Sequence, residues 1–289
     1  MSAADRAQVG QGASVLQRYA TRVDAVEINC SFYRPHRAST CARWADSVPE
    51  DCRFSVKLPR SISHDARLHG TGPLLDAFLA QVGALGTRLG WLLLQLPPNA
   101  VFDAVVAAGF LAMLRRRWDG GVVCERRHAS WFAAPAQALL ERHRIARCAA
   151  DPASLPAVAI PRPVAAPSSR RWHDAPRIYY RSYDDTALQA LAAAVRAGPP
   201  SSAQPLAEHW VIFDNSAAGQ RDIQCAGIAA LAGHRAQAPT RVGDGISTRL
   251  HGAHLAAVTA RGHARFKLPG STPIRLNRHA FRQHAGSAC

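Results

Sequence analysis

No stretch of this 289-residue sequence approaches the roughly 18 uncharged apolar residues that a membrane span requires. The start, MSAADRAQVGQG, has neither the basic end nor the apolar centre of a secretion signal, so the chain reads as cytoplasmic with no membrane partner. It also lacks any CxxC pair. The seven cysteines (Cys30, Cys41, Cys52, Cys124, Cys148, Cys225 and Cys289) are scattered and odd in number, which suits reduced thiols and not a disulfide framework or a zinc knuckle. Neither GxGxxG nor GxxxxGK[ST] occurs, so dinucleotide and P-loop readings find no motif. With HxH and HExxH absent as well, no metal ligands are assigned, and the cofactor, if any, stays unknown.

Acidic residues are the scarcer sign: 20 Asp and Glu stand against 35 Lys and Arg, for a formal charge of +15. The excess is uneven. Residues 236–289 carry eight basic residues (Arg241, Arg249, Arg261, Arg265, Lys267, Arg275, Arg278 and Arg282) against Asp244 alone. This segment has no sustained helical or strand period and is expected to be a disordered or loosely packed basic tail after a body of residues 1–235. Nucleic acid is therefore one candidate partner, through the tail.

Hydrophobic residues make up 48% of the chain, enough for a packed core. From Val23 to about residue 232, short apolar runs alternate with stretches of helical period, the pattern of repeated βα units. Strands are expected in AVEINCSF, RFSVKLP, WLLLQLPP, GVVCERR, IARCAAD and HWVIFDN. Helices are expected over 37–47, 73–85, 103–117, 135–143, 185–197 and 219–232. Residues 152–170, with five prolines, should form an irregular loop. The fold class is α/β, with a parallel sheet buried on both faces.

Polar residues collect where these strands end: Asn29, Lys57, Gln95, Glu125, Asp151 and Asn215. Parallel strands share a direction, so all six should lie on one edge, the edge at which α/β folds bind ligands. A charge almost buried there needs a partner, and Glu27, Lys57, Glu125 and Arg127 are expected to compensate one another.

The segments AVEINCSFYRP, PEDCRFSVKLPRSISHD, LGWLLLQLPP, CERRHASWF, RIYYRSYDD and WVIFDNSAAG together resemble the YecE-like family, domain of unknown function 72, from about residue 13 to 233. The resemblance implies a TIM-type (β/α)8 barrel and supplies no reaction. Its polar positions fall here on Glu27, Asn29, Phe32, Tyr33, Arg34, Lys57, His64, Gln95, Glu125, Arg127, His128, Ser130, Trp131, Asp151, Asp214 and Asn215. Family members open with a strand of the type GTSGW that is absent here, so the barrel is expected to lack its first strand. In SSRRWHD, Arg171, Trp172 and His173 keep the family pattern while Asp174 replaces a glycine, and Gln224-Cys225 replaces Asn-Ala.

These residues suggest a pocket for a small polar or anionic molecule, with acid-base chemistry of a hydrolase, lyase or isomerase type on an unknown substrate. Glu27, Lys57, Glu125 and His64 are the candidate catalytic groups, Glu27 or Glu125 as base and Lys57 or Arg127 holding an oxyanion or phosphate. Asn29, Gln95 and Asn215 would read hydroxyls, and Phe32, Tyr33 and Trp131 would form an apolar wall. Arg127, His128, Asp151 and His173 complete the binding set. The alternatives are an ion-pair network that only fills the barrel mouth, a non-catalytic nucleic-acid-binding or regulatory protein using the basic tail, and an inactive truncated family member.

Overall fold

The computed structural model describes residues 14–20, 25–151, 168–172, 209–213, 254–259, 262–267 and 274–275, with isolated helical positions between 186 and 193. Five strands form a parallel sheet in chain order: β1 (Ala25–Ile28), β2 (Arg53–Lys57), β3 (Leu89–Gln95), β4 (Gly121–Glu125) and β5 (Ala146–Asp151). Parallel strands β6 (Ser168–Trp172) and β7 (His209–Phe213) continue the same order. Beyond residue 235, β8 (His254–Thr259) pairs parallel to β7, β9 (Gly262–Lys267) pairs antiparallel to β8, and β10 (Ile274–Arg275) pairs with β7.

Helices fill the connections. They are α1 (Val15–Ala20), α2 (Ala38–Asp46), α3 (Gly72–Val82), α4 (Ala104–Arg117) and α5 (Ala134–Arg142). The last four match the helices expected over 37–47, 73–85, 103–117 and 135–143. The helix expected over 219–232 lies outside the described residues, and of 185–197 only isolated helical positions are described. No described helix is long and apolar enough to cross a membrane. The short α1 escaped the reading of the sequence, although its start is legible: Ser14 Oγ accepts from the Gln17 amide at 3.1 Å while Gln17 Oε1 accepts from the Ser14 amide at 3.0 Å. That is a reciprocal capping box written S-x-x-Q.

Alternation gives the sheet two different faces. Val26, Ile28, Phe54, Val56, Leu92, Leu94, Val122 and Cys124 join one hydrophobic cluster with the helices, including Cys41 of α2, Phe78 of α3, Phe110 and Leu114 of α4, and Leu140 of α5. The residues between them, Glu27, Ser55, Lys57, Trp91, Leu93, Gln95, Val123 and Glu125, face the other way and are buried as well. The sheet covers its second face by curling on itself. Trp91 on β3 and Trp210 on β7 have ring centroids 3.8 Å apart, and Arg171 on β6 reaches Glu27 on β1 at 3.1 Å. In a flat sheet with strands roughly 4.8 Å apart these partners would be separated by about 19 Å and about 24 Å.

In α4 the sequence pattern, the cap and the packing agree. Ala107, Phe110, Leu111 and Leu114 are buried at spacings of three and four, which puts them in one stripe against the sheet. Asp103 caps the helix, its Oδ1 accepting from the amides of Val105 at 2.9 Å and Val106 at 3.0 Å. At the other end Arg115 donates to the carbonyls of His143, Gly120 and Arg144, each at 2.7 Å, and so ties the helix exit to the turn before β5. Asp103→Ala should lower the unfolding free energy by about 1 kcal/mol and Phe110→Ala by about 3–5 kcal/mol, whereas exposed Val105→Ala should stay within about 0.5 kcal/mol in urea unfolding curves.

Candidate functional site

The strands deliver their polar residues to one edge. Asn29 follows β1 directly, Lys57, Gln95 and Glu125 close β2, β3 and β4, and Asp151 is the last residue of β5. Register aligns them, with Gln95 opposite Glu125. Asn215, Asp214 and His173 lie outside the described residues.

At the centre is an ion cluster built on Arg171, which is fully buried. Its guanidinium lies 3.1 Å from Glu27 Oε1 and 3.2 Å from Glu125 Oε2, bridging β1 and β4 from β6. Each carboxylate has further partners. Ser55 Oγ donates to Glu27 Oε2 at 3.1 Å. Gln95 Nε2 lies 2.9 Å from both oxygens of Glu125, and Arg127 approaches Glu125 Oε1 with Nε at 2.8 Å and Nη2 at 2.7 Å. Gln95, expected to read a ligand hydroxyl, is thus turned onto a protein carboxylate. Of the mutual compensation expected of Glu27, Lys57, Glu125 and Arg127, the Glu125–Arg127 pair forms, while Glu27 is paired by Arg171 and Lys57 makes no ion pair among the described residues.

Lys57 stands apart. It is 2% exposed, and among the described residues its Nζ has no hydrogen-bond or ion-pair partner. The nitrogen lies over the ring of Phe32, 4.0 Å from its centroid. This arrangement is set locally. After β1 the chain turns through one 3-10 turn, Cys30–Phe32, and Ser31 Oγ sits 3.0 Å from the Ile28 carbonyl oxygen and 2.7 Å from that of Lys57. The turn is thereby pinned to the end of β2, which brings Phe32 above the lysine.

Burial pulls the Lys57 pKa down to about 7, and the positive charges of Arg171 and Arg127 push the same way, partly opposed by Glu125 and Glu27. His64 lies edge-on to the other side of the same environment, its ring 4.8 Å from Phe32 and its Nδ1 2.9 Å from Ser63 Oγ. Burial, then Lys57, Arg60 and Arg127, lower its pKa to about 4, so it is neutral near pH 7.

The remaining expected residues are dispersed. Tyr33 packs edge-to-face on Phe32 at 4.9 Å but is 65% exposed. Trp131 belongs to the hydrophobic cluster on the helix side, its Nε1 donating to the Ala100 carbonyl at 2.9 Å and its ring packed edge-on against Phe102. His128 caps the turn that carries Trp131: its Nδ1 accepts from the Ser130 amide at 3.2 Å. Ser130 Oγ in turn accepts from the Phe102 amide at 2.7 Å, joining the loops after β3 and β4. A cavity of about 190 Å³ sits among these loops, lined by Ser63, Leu68, Leu96, Asn99, Asp103 and Trp131. It contains none of the ion cluster's members. Among the described residues no three His, Cys, Asp or Glu side chains group to hold a metal ion.

Ser55 is the site residue that reading the sequence missed; Arg171 was noted as keeping the family pattern but was given no role in the site. Periodicity gives Arg171 no partner, and its role appears only when β6 is paired with β5 and β7.

The architecture is an α/β fold whose curled parallel sheet carries a charged cluster on its concave face. A family model described as "Protein of unknown function DUF72" matches residues 6–244, and the chain belongs to that family. Over 123 residues it is 34% identical to UPF0759 protein YecE of Escherichia coli K12, covering 42% of this chain and 44% of that protein, so the match spans less than half of the relative's length. The crystal structure of a DUF72 family protein from Enterococcus faecalis superposes with a TM-score of 0.64 at 18% identity, covering 83% of this chain and 96% of that one. A DUF72 family protein from Thermotoga maritima gives 0.50 at 24% identity, covering 60% and 72%. At these identities the likeness is one of fold.

Two outcomes follow from the cluster. Arg171→Met leaves two buried carboxylates short of a counter-charge and should cost about 3–5 kcal/mol of stability in denaturant unfolding. For Lys57 the folded pKa of about 7 lies below the unfolded value of 10.5, so between them the unfolded chain binds the extra proton and stability rises with pH. From about pH 7 to 9, wild type should gain on Lys57→Met by up to about 1.4 kcal/mol per pH unit; parallel stability curves in that window would rule out a proton-poor lysine.

Proposed function

We propose that the sheet closes as a TIM-type barrel and that the charged cluster, at the carboxyl ends of its strands, binds a small polar or anionic molecule and transfers protons to or from it. The barrel reading is supported by side chains from β1, β3, β4, β6 and β7 meeting inside the curl. Activity is read from one observation: Lys57 is the odd cation. Among the described residues two carboxylates, Glu27 and Glu125, are matched by two guanidiniums, Arg171 and Arg127, and the lysine is left over. A buried amine that the surroundings do not need as a counter-charge can exist unprotonated near neutral pH and serve as a base.

This reading redistributes the roles. Glu27 and Glu125 accept from arginine, glutamine and serine, which suits fixed charges that orient the site better than bases. Lys57 is the proton acceptor, and neutral His64 stands near it across Phe32. Arg127 has one third of its side chain exposed and uses Nε and Nη2 on Glu125, which leaves Nη1 for an anionic group of the bound molecule.

The test is a thermal-shift screen of wild type and Lys57→Met with inorganic phosphate, phosphorylated sugars, nucleotides and small carboxylates. A true ligand at a hundred times its Kd adds about 2.7 kcal/mol to stability. The expected result is a saturable rise in Tm for at least one of these anions, lost or reduced more than tenfold in apparent affinity in Lys57→Met. Equal shifts in both proteins would place the binding elsewhere and overturn the assignment.

A further inference from the structure

We infer that Lys57 is an amine nucleophile that forms an imine with a small aldehyde or ketone carrying an anionic group. The inference rests on the reading of this cluster as a binding site for a small anionic molecule, and names the class of that molecule.

The first ground is the lysine's isolation within a charged cluster. Its Nζ is buried against the Phe32 ring, while both neighbouring carboxylates are engaged by Arg171 and Arg127. An ammonium held in an ion pair cannot attack a carbonyl, and this one is not so held among the described residues. The second ground is independent and compositional. The whole chain contains two lysines, Lys57 and Lys267, against 33 arginines. Where a plain positive charge serves, this sequence writes arginine. A guanidinium stays protonated at every physiological pH and is no nucleophile, so the buried Lys57 falls where a primary amine does something arginine cannot. The depressed proton affinity of Lys57 agrees with both.

The chemistry balances without a further reactant. The neutral amine attacks the carbonyl carbon, the N–C bond forms as the C=O π pair moves to oxygen, and proton transfer from nitrogen to oxygen gives a carbinolamine. The C–O bond then breaks, and the carbonyl oxygen leaves as water with the two amine hydrogens, giving a C=N bond. Arg127, through its unengaged Nη1, would hold the anionic end of the same molecule.

Two lysines make the experiment simple to read. The full chain is incubated with glyoxylate, the smallest anionic aldehyde, and sodium cyanoborohydride near neutral pH, and the reduced adduct is located by peptide mass spectrometry. Lys57 should be labelled at least about tenfold faster than Lys267, and the label should persist in Lys267→Arg and vanish in Lys57→Arg. Because the site is located in wild type, the result does not depend on the variant folding. Labelling of Lys57 no faster than of Lys267 overturns the inference. If that happens while glyoxylate or phosphate still raises Tm in a Lys57-dependent way, the imine falls and the binding site stands; without a Lys57-dependent shift, both fall.

Discussion

Arg171 is the residue on which the interior depends. Its guanidinium spans from β6 to carboxylates on β1 and β4, strands that meet only because the sheet is curled. The dependence runs both ways. Two buried carboxylates facing a common interior repel each other and lose their hydration, a cost that a central cation offsets. A buried guanidinium needs more than one acceptor, and its planar fork supplies donors toward both sides. The curl places the three groups together, and their mutual neutralisation makes that degree of curling tolerable.

The electrostatics of the rest of the site follow. Burial is the chief pressure on Lys57, and among the described residues, once Arg171 and Arg127 have matched Glu27 and Glu125, a third cation in the same volume is in excess. Lys57 can respond by giving up its proton, which arginine cannot. His64, nearer the rim, responds the same way and more completely, since its ordinary pKa already lies close to neutrality. Burial, reinforced by neighbouring positive charges, thus lowers the proton affinity of both side chains.

Much of this was legible from the chain. The alternation of β1–β4 and the polar residue closing each strand predicted a two-sided sheet with a charged edge, and Asn29, Lys57, Gln95 and Glu125 stand there. Apolar spacing of three and four located α4 within a residue at its start. The placements that periodicity could not show share a cause. Gln95 was expected to face a ligand, but its amide is satisfied by Glu125, a pairing set by the β3–β4 register, which periodicity does not encode. Trp131 was expected in a pocket wall with Phe32 and Tyr33; the His128 cap and the short turn after β4 place it instead in the wall of a separate cavity on the helix side. Strand pattern says which face a residue takes while the chain is extended, and says nothing after the first turn. Arg171 was noted as keeping the family pattern but given no role, for the opposite reason: its strand is short and carries a second arginine, so the partner across the interior decides its role.

The two ends of the interior argue about what the cluster is for. Toward the strand starts the concave face is filled by Trp91 against Trp210, with Leu93, Val123 and Ile212 also buried. The fold can therefore close this space with apolar side chains. Toward the strand ends the same space holds five ionisable groups, although replacing a buried ion cluster by apolar residues of similar volume is often neutral or stabilising. Stability alone would have favoured extending the aromatic packing. Among the described residues the polar filling lies at the edge where α/β folds bind ligands, and it includes one cation that the described charges do not require. A network selected only to plug the curl would have no use for Lys57, and the surplus amine is what separates the functional reading from the purely structural one.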